Sequence, residues 1–225
     1  MAPWKRCSIE RRTRTHYAAR VSTHRPIIGI TGGICSGKSE VARMLGELGC
    51  VVCVSDELAR RVLDEPEVRA RISALFGPAI LAADGSILRS ELANLLFSNA
   101  ASRSSIEAIM HPRIEALRRA QFAAASDAAT GFVIDAPLLL EVALDRECDA
   151  VLFIDAPHEL RVARAFQRQG WPREELDRRE RAQLPLEKKR AQSTDVIQND
   201  GDCALLRARV TEVFLRICAR GRQTR

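Results

Sequence analysis

Nothing in this 225-residue sequence approaches 18 consecutive apolar residues, so no segment is built to span a bilayer as a helix. The first 25 residues also lack the apolar core of a secretory signal. No cysteine framework is present either. The seven cysteines, at 7, 35, 50, 53, 148, 203 and 218, are odd in number and follow no repeat, which suits reduced thiols in a cytoplasmic protein. Cys50 and Cys53 form a C-x-x-C, but no second pair at suitable spacing would complete a zinc site. They lie in the apolar run Cys-Val-Val-Cys-Val and are expected to be two buried strand cysteines.

A net-charged body is missing as well. The formal charge of +6 suggests nucleic acid until it is located. Lys5, Arg6, Arg11, Arg12, Arg14, Arg20 and Arg25 against Glu10 account for all of it, so residues 26–225 are neutral overall. No nucleic-acid partner is expected, and no membrane. Residues 1–25 form a basic extension, expected to be disordered or to reflect a start codon assigned too far upstream. The Arg-rich, acid-poor composition is also that of a mitochondrial presequence.

What is present is concentrated between Pro26 and Leu48. Ile27, Ile28 and Ile30 suit a buried parallel strand, and Val41, Met44, Leu45 and Leu48 recur at helical spacing. Between them Gly32, Gly37, Lys38 and Ser39 satisfy G-x-x-x-x-G-K-[ST]. Glycines there let backbone N–H groups and the positive end of the following helix face a phosphate chain. Lys38 would reach the β- and γ-phosphates, and the Ser39 hydroxyl would ligate Mg2+. The motif predicts nucleoside triphosphate binding, against an ordinary strand–turn–helix whose glycines serve only the turn.

Further strands are expected at Val51–Val54, Phe132–Asp135, Val151–Asp155 and around Val196 and Ile197, with a closing helix through Leu206, Val210, Val213, Phe214 and Ile217. Ser55-Asp56-Glu57 is expected to cap a helix through Leu58 and Val62. Asp56 is either helix-start chemistry or a carboxylate at a strand's carboxyl end, where ligands collect in open α/β sheets. Asp135 likewise is either a Walker B-like magnesium ligand or the cap of a helix from Pro137 to Leu144. Residues 55–131 are too long for one crossover and carry several helical patterns, with a turn at Asp84-Gly85 and a helix break at His111-Pro112.

Residues 161–190 hold ten Arg or Lys and five acids. Such mixed charge on helices is a solvated face for most of these residues. Arg161, Arg164 and Arg168, however, recur at i, i+3 and i+7 and share one face, which could neutralise charge on a transferring phosphoryl group.

Together these stretches resemble the dephospho-coenzyme A kinase family over about residues 26–202. The likeness rests on Gly-Ile-Thr-Gly-Gly-Ile-Cys-Ser-Gly-Lys-Ser at 29–39, Ser-Asp-Glu-Leu-Ala-Arg at 55–60, Asp84-Gly85 with Arg89, and His111-Pro112. It continues with Asp-Ala-Pro-Leu-Leu-Leu-Glu at 135–141, Arg164 with Arg168, Ala182-Gln183, and Asp-Val-Ile-x-Asn at 195–199. The resemblance implies an α/β P-loop nucleotide-kinase fold with a five-stranded parallel sheet, and ATP-dependent phosphorylation of the 3′-hydroxyl of dephospho-coenzyme A, in the cytoplasm. It implies catalysis by Lys38, Asp56 as general base, Arg164 and Arg168, and ATP held by Gly33, Cys35, Ser36, Gly37, Lys38, Ser39, Glu40 and Asn199. The acceptor would meet Asp56, Arg89, His111, Pro137 and Leu138, and Mg2+ would meet Ser39 and Asp135. Three positions depart from the family: Cys35 for glycine, Glu40 for threonine, and Thr194 for an acid. Cys35 cannot adopt positive φ cheaply and puts an oxidisable thiol beside ATP, and Glu40 puts an acid near bound phosphate.

The expected organisation is a core of 26–54, 132–157 and 193–225, an acceptor lobe of 55–131 and a lid of 158–192. The sequence sets no oligomeric state. Alternatives are a small P-loop kinase acting on a nucleoside monophosphate or another small metabolite, a nucleotide-gated binding protein, and an RNA-binding protein acting through its basic tail.

Overall fold

A computed structural model describes residues 25–98 and 100–223, so the expectation for the basic extension falls, but for Arg25, outside the described residues. The strands are β1 (Ile27–Gly32), β2 (Cys50–Val54), β3 (Gly131–Asp135), β4 (Ala150–Asp155) and β5 (Asp195–Gln198). They form one parallel sheet in the order β2-β3-β1-β4-β5. The middle strand β1 pairs with β3, Ile28 opposite Val133, and with β4, Ile30 opposite Leu152. Ile28 and Ile30 have no exposed surface, as expected of a strand covered on both faces. Cys50 and Cys53 are buried in β2.

The helices are α1 (Lys38–Glu47), α2 (Ser55–Leu63), α3 (Pro66–Phe76), α4 (Arg89–Ser98), α5 (Ala100–Ala123), α6 (His158–Gln169), α7 (Arg173–Arg181), α8 (Leu186–Ala191) and α9 (Cys203–Gln223). Among the described residues no helix is long and apolar enough to cross a membrane. Two compact units result, one of residues up to Val52 and from Asp127 onward, the other Cys53–Ser126. In the larger, Val41, Met44 and Leu45 of α1 join Val210, Phe214 and Ile217 of α9 and the strand residues in one apolar core. That core fixes the first turn of α1 against the end of β1.

In the smaller unit Val62, Val68, Ile72, Leu92, Ile106, Ile109 and Met110 form a second core. Here the helix break expected at His111-Pro112 does not occur, because α5 runs through Pro112. The proline forfeits the hydrogen bond to Ala108 and costs about 3 kcal/mol. Ile106, Ile109 and Met110 before it, with Ile114 and Leu117 after it, all join the same cluster. Each fully buried side chain of this size contributes about 1.5–3 kcal/mol, so continuing the helix wins.

Two other local expectations also yield. Ser55 is the first helical residue of α2 rather than its cap, and its buried Oγ has no hydrogen-bond partner among the described residues. Pro137–Ala143 forms turns, not a helix, followed by a 3-10 segment at Leu144–Glu147. Ala143, at φ 56, ends any helical run after the Val142 N–H reaches the Leu138 carbonyl.

Of the charged run at 161–190, most residues are exposed, but Arg161, Arg164 and Lys189 are buried. Lys189 is fully enclosed, and its Nζ donates to Glu141 Oε1 at 2.8 Å, Gln183 Oε1 at 3.0 Å and the Pro137 carbonyl at 3.2 Å. It thereby ties the turn after β3 to α8. Lys189→Met should lower unfolding stability by about 2–3 kcal/mol, below the full cost of a broken buried pair because Glu141 keeps some exposure. Urea denaturation measures this as a drop in midpoint at unchanged slope, and a change within about 0.5 kcal/mol would show that the pair holds nothing.

Candidate functional site

The loop from Gly32 to Lys38 joins the carboxyl end of β1 to α1. Gly37 takes φ 101, and a Cβ there would lie 2.2 Å from Asn199 Nδ2, so only glycine fits. The amide that crowds it is structural. Asn199 Nδ2 donates to the Ser36 carbonyl at 2.7 Å, and the Asn199 N–H donates to Asp155 at the end of β4. Asn199 is therefore buried behind the loop, holding its shape. Arg164 joins it there, donating to the carbonyls of Cys35 at 3.4 Å and Ser36 at 3.3 Å and to Asn199 Oδ1 at 3.4 Å. Burial and the neighbouring Arg168 lower the Arg164 guanidinium below its ordinary value. Arg168 itself is exposed.

Lys38 Nζ donates to the Gly32 carbonyl at 3.2 Å and the Gly33 carbonyl at 2.7 Å, folded over the loop it would share with phosphates. Burial pushes it down to about 8, while Asp135 acts the other way. Asp135 closes β3 beside Ile30 of β1 and is buried. Ser39 is exposed in the first turn of α1. Among the described residues no group of three or more His, Cys, Asp or Glu gathers into an all-protein metal cage. One hydroxyl and one carboxylate fit Mg2+, which keeps waters and takes substrate phosphates for the rest of its octahedron. Thr31 Oγ1 and Ser36 Oγ are buried around the loop with no hydrogen-bond partner among the described residues, polar groups that suit a polar ligand.

The departures resolve locally. Cys35 adopts φ 58, a conformation costing a non-glycine residue about 1–2 kcal/mol. Burial raises its thiol, with Arg168, Lys38 and Arg164 opposing, so the reactive thiolate is disfavoured. Glu40 turns along α1, where Arg43 donates to Oε2 at 3.1 Å and to Oε1 at 2.5 Å and holds the carboxyl below its usual range. Thr194 Oγ1 accepts from the Val151 N–H at 3.0 Å.

Asp56 is exposed in the first turn of α2 and makes no hydrogen bond or ion pair among the described residues. In the same unit Arg89 opens α4 and His111 lies on α5, both exposed. In the larger unit Pro137 and Leu138 occupy the turn after β3, with Leu138 an exposed leucine. Three polar residues were not singled out by sequence as site residues: Lys189, Glu180 and Arg161, the last noted only as part of a helix face. Glu180 Oε1 accepts from the Ile34 N–H of the loop at 2.8 Å and pairs with Arg161. No local pattern marks a partner 19 residues away, although the helical spacing of the arginines placed Arg161 on the right face.

The Lys38 value has a kinetic consequence. The ammonium binds phosphates and the amine does not, so kcat/KM for ATP should fall as pH rises through about 8. The expected loss is about fivefold between pH 8 and pH 9, approaching tenfold per unit only at higher pH. The depressed value also weighs on the folded state below pH 8, and that penalty lifts as pH climbs toward the ordinary 10.5. A flat kcat/KM profile from pH 7 to 9 would show that Lys38 stays charged throughout and that burial does not hold it near 8.

Residues 26–204 match the family model CoaE, dephospho-CoA kinase. The chain is 42% identical over 180 residues to a dephospho-CoA kinase of Deinococcus radiodurans, covering 80% of this chain and 86% of that one. It is 37% identical over 193 residues to one of Syntrophotalea carbinolica, covering 85% and 92%. Among solved structures it is similar to TT1252 from Thermus thermophilus, with 36% identity, a TM-score of 0.78 and coverage of 86% and 97%. It is also similar to the dephospho-CoA kinase of Campylobacter jejuni, at 26% identity and a TM-score of 0.63, covering 88% and 100%.

Proposed function

The chain belongs to the dephospho-CoA kinase family, and from that premise we propose how its residues carry the reaction. The activity is ATP-dependent phosphorylation of the 3′-hydroxyl of dephospho-coenzyme A, giving coenzyme A and ADP, the last step of coenzyme A biosynthesis. The observation that carries the site assignment is the loop between β1 and α1, with Lys38 folded over it and Asn199 and Arg164 fixing it from behind.

ATP lies along Gly33 to Ser39, where the loop N–H groups and the start of α1 meet its phosphates. Lys38 leaves the Gly32 and Gly33 carbonyls for the β- and γ-phosphates. Ser39 and Asp135 would hold Mg2+, which supplies charge neutralisation on the phosphates. The free carboxylate of Asp56 orients the acceptor hydroxyl and takes its proton as the new O–P bond forms and the bond to the ADP oxygen breaks. Arg89 and His111 of the smaller unit would bind the acceptor's charged groups, and Leu138 of the larger, beside Pro137, offers it an apolar surface. Arg168, exposed on α6, is available to the transferring group, while Arg164 acts by holding the loop carbonyls. The reaction is cytoplasmic and needs neither nucleic acid nor membrane.

Purified protein with ATP, Mg2+ and dephospho-coenzyme A should yield a product one phosphate heavier by mass, with one ADP formed per product. Equal ADP release with nucleoside monophosphates or other small alcohols would favour a different acceptor.

A further inference from the structure

The pair formed by Arg161 of α6 and Glu180 of α7 lies on the phosphate loop itself. A Cβ on Gly33 would come within 2.9 Å of Arg161 Nη1 and 3.0 Å of Glu180 Oε1, so both groups fill the space that the missing side chain leaves at this glycine. Both side chains are largely withdrawn from solvent, at 6% and 15% exposure. Arg161 is anchored by its Nε, which donates to the Ala156 carbonyl at 3.2 Å, leaving the rest of the guanidinium turned to the loop. Glu180 Oε1 accepts both from Arg161 and, at 2.8 Å, from the Ile34 N–H. A carboxylate oxygen that takes one hydrogen bond from a loop N–H and one from an arginine makes the contacts a phosphate oxygen would make there.

Building on the kinase reading above, we infer that Arg161 is a phosphate-binding arginine of this site and that Glu180 is the anion that holds its place, ceding both Arg161 and the Ile34 N–H to the terminal phosphates of ATP. The donors are thereby kept satisfied and pre-oriented in the absence of nucleotide, since an unpaired buried guanidinium would be costly. Affinity is reduced in exchange, because ATP must displace a charge-assisted contact before it can make its own. No backbone movement is required. His158 Nε2 with Asp177 Oδ1 at 2.8 Å, and Arg173 with Glu159, tie α7 to α6, so rotation of one glutamate side chain is enough.

Isothermal titration of the full chain with ATP and Mg2+, without acceptor, separates this from a merely structural ion pair. Glu180→Ala should bind ATP about tenfold more tightly, and Glu180→Gln, which keeps the shape and loses the charge, should tighten in the same direction by about threefold. Arg161→Ala should bind about tenfold or more weakly. An ion pair that only braces the helices would move both partners' variants the same way, toward weaker binding. Unchanged or weaker binding in both Glu180 variants, or unchanged binding in Arg161→Ala, overturns the inference. If the unsubstituted chain itself fails to bind ATP, the kinase reading falls first, and that result is distinct from a chain that binds ATP with no opposition of sign.

Discussion

Replacing Lys38 by Ala should lower turnover by about a thousandfold with ATP and dephospho-coenzyme A, while leaving the folded state at least as stable. The two halves of this result have one origin. Burial holds the Lys38 ammonium down to about 8, which means that the folded protein carries a partly desolvated charge satisfied chiefly by two loop carbonyls. Removing the charge removes a folding cost, and it also removes the cation nearest the phosphates at the point where negative charge shifts during transfer. Stopped-flow or coupled-assay kcat, read beside thermal denaturation, checks both. A variant with kcat within about tenfold of the parent would show that the loop N–H groups alone suffice.

Asp56→Asn is the second large effect, with an expected loss of about a hundredfold to ten-thousandfold in kcat. The carboxamide keeps the shape and the ability to orient a hydroxyl but cannot accept its proton. Because Asp56 is exposed and unpaired among the described residues, the substitution should change stability by no more than about 0.5 kcal/mol. KM for dephospho-coenzyme A should change far less than kcat, since the lost interaction belongs to the transition state. Undiminished kcat in Asp56→Asn would take the base role away from this residue, whatever happened to binding.

What made the site legible in advance was its locality. Gly32, Gly37, Lys38 and Ser39 fall within eight residues, so one loop positions them all, and the flanking apolar runs announce β1 and α1 without reference to the rest of the chain. The five strands were legible for the same reason, as short apolar runs, of which β1, β3 and β4 are covered on both faces. Asn199 was found through resemblance, but its place behind the loop, donating to Ser36, came from the fold. Glu40 looked like a threat to bound phosphate until Arg43, three residues on, was seen to hold it.

By itself, the sequence determined the phosphate loop, the alternation of buried strands and helices, and through its ordered motifs the family to which the chain belongs. Only the tertiary structure decided that α5 would run through Pro112, that Lys189 would be sealed inside a run of mostly solvated charges, and that Glu180 would reach the loop beside Arg161. The physical reason is the same in each case. Local spacing fixes what a residue's neighbours along the chain can do, but the cost of a lost helix bond or a buried charge is offset by groups that only folding brings within reach.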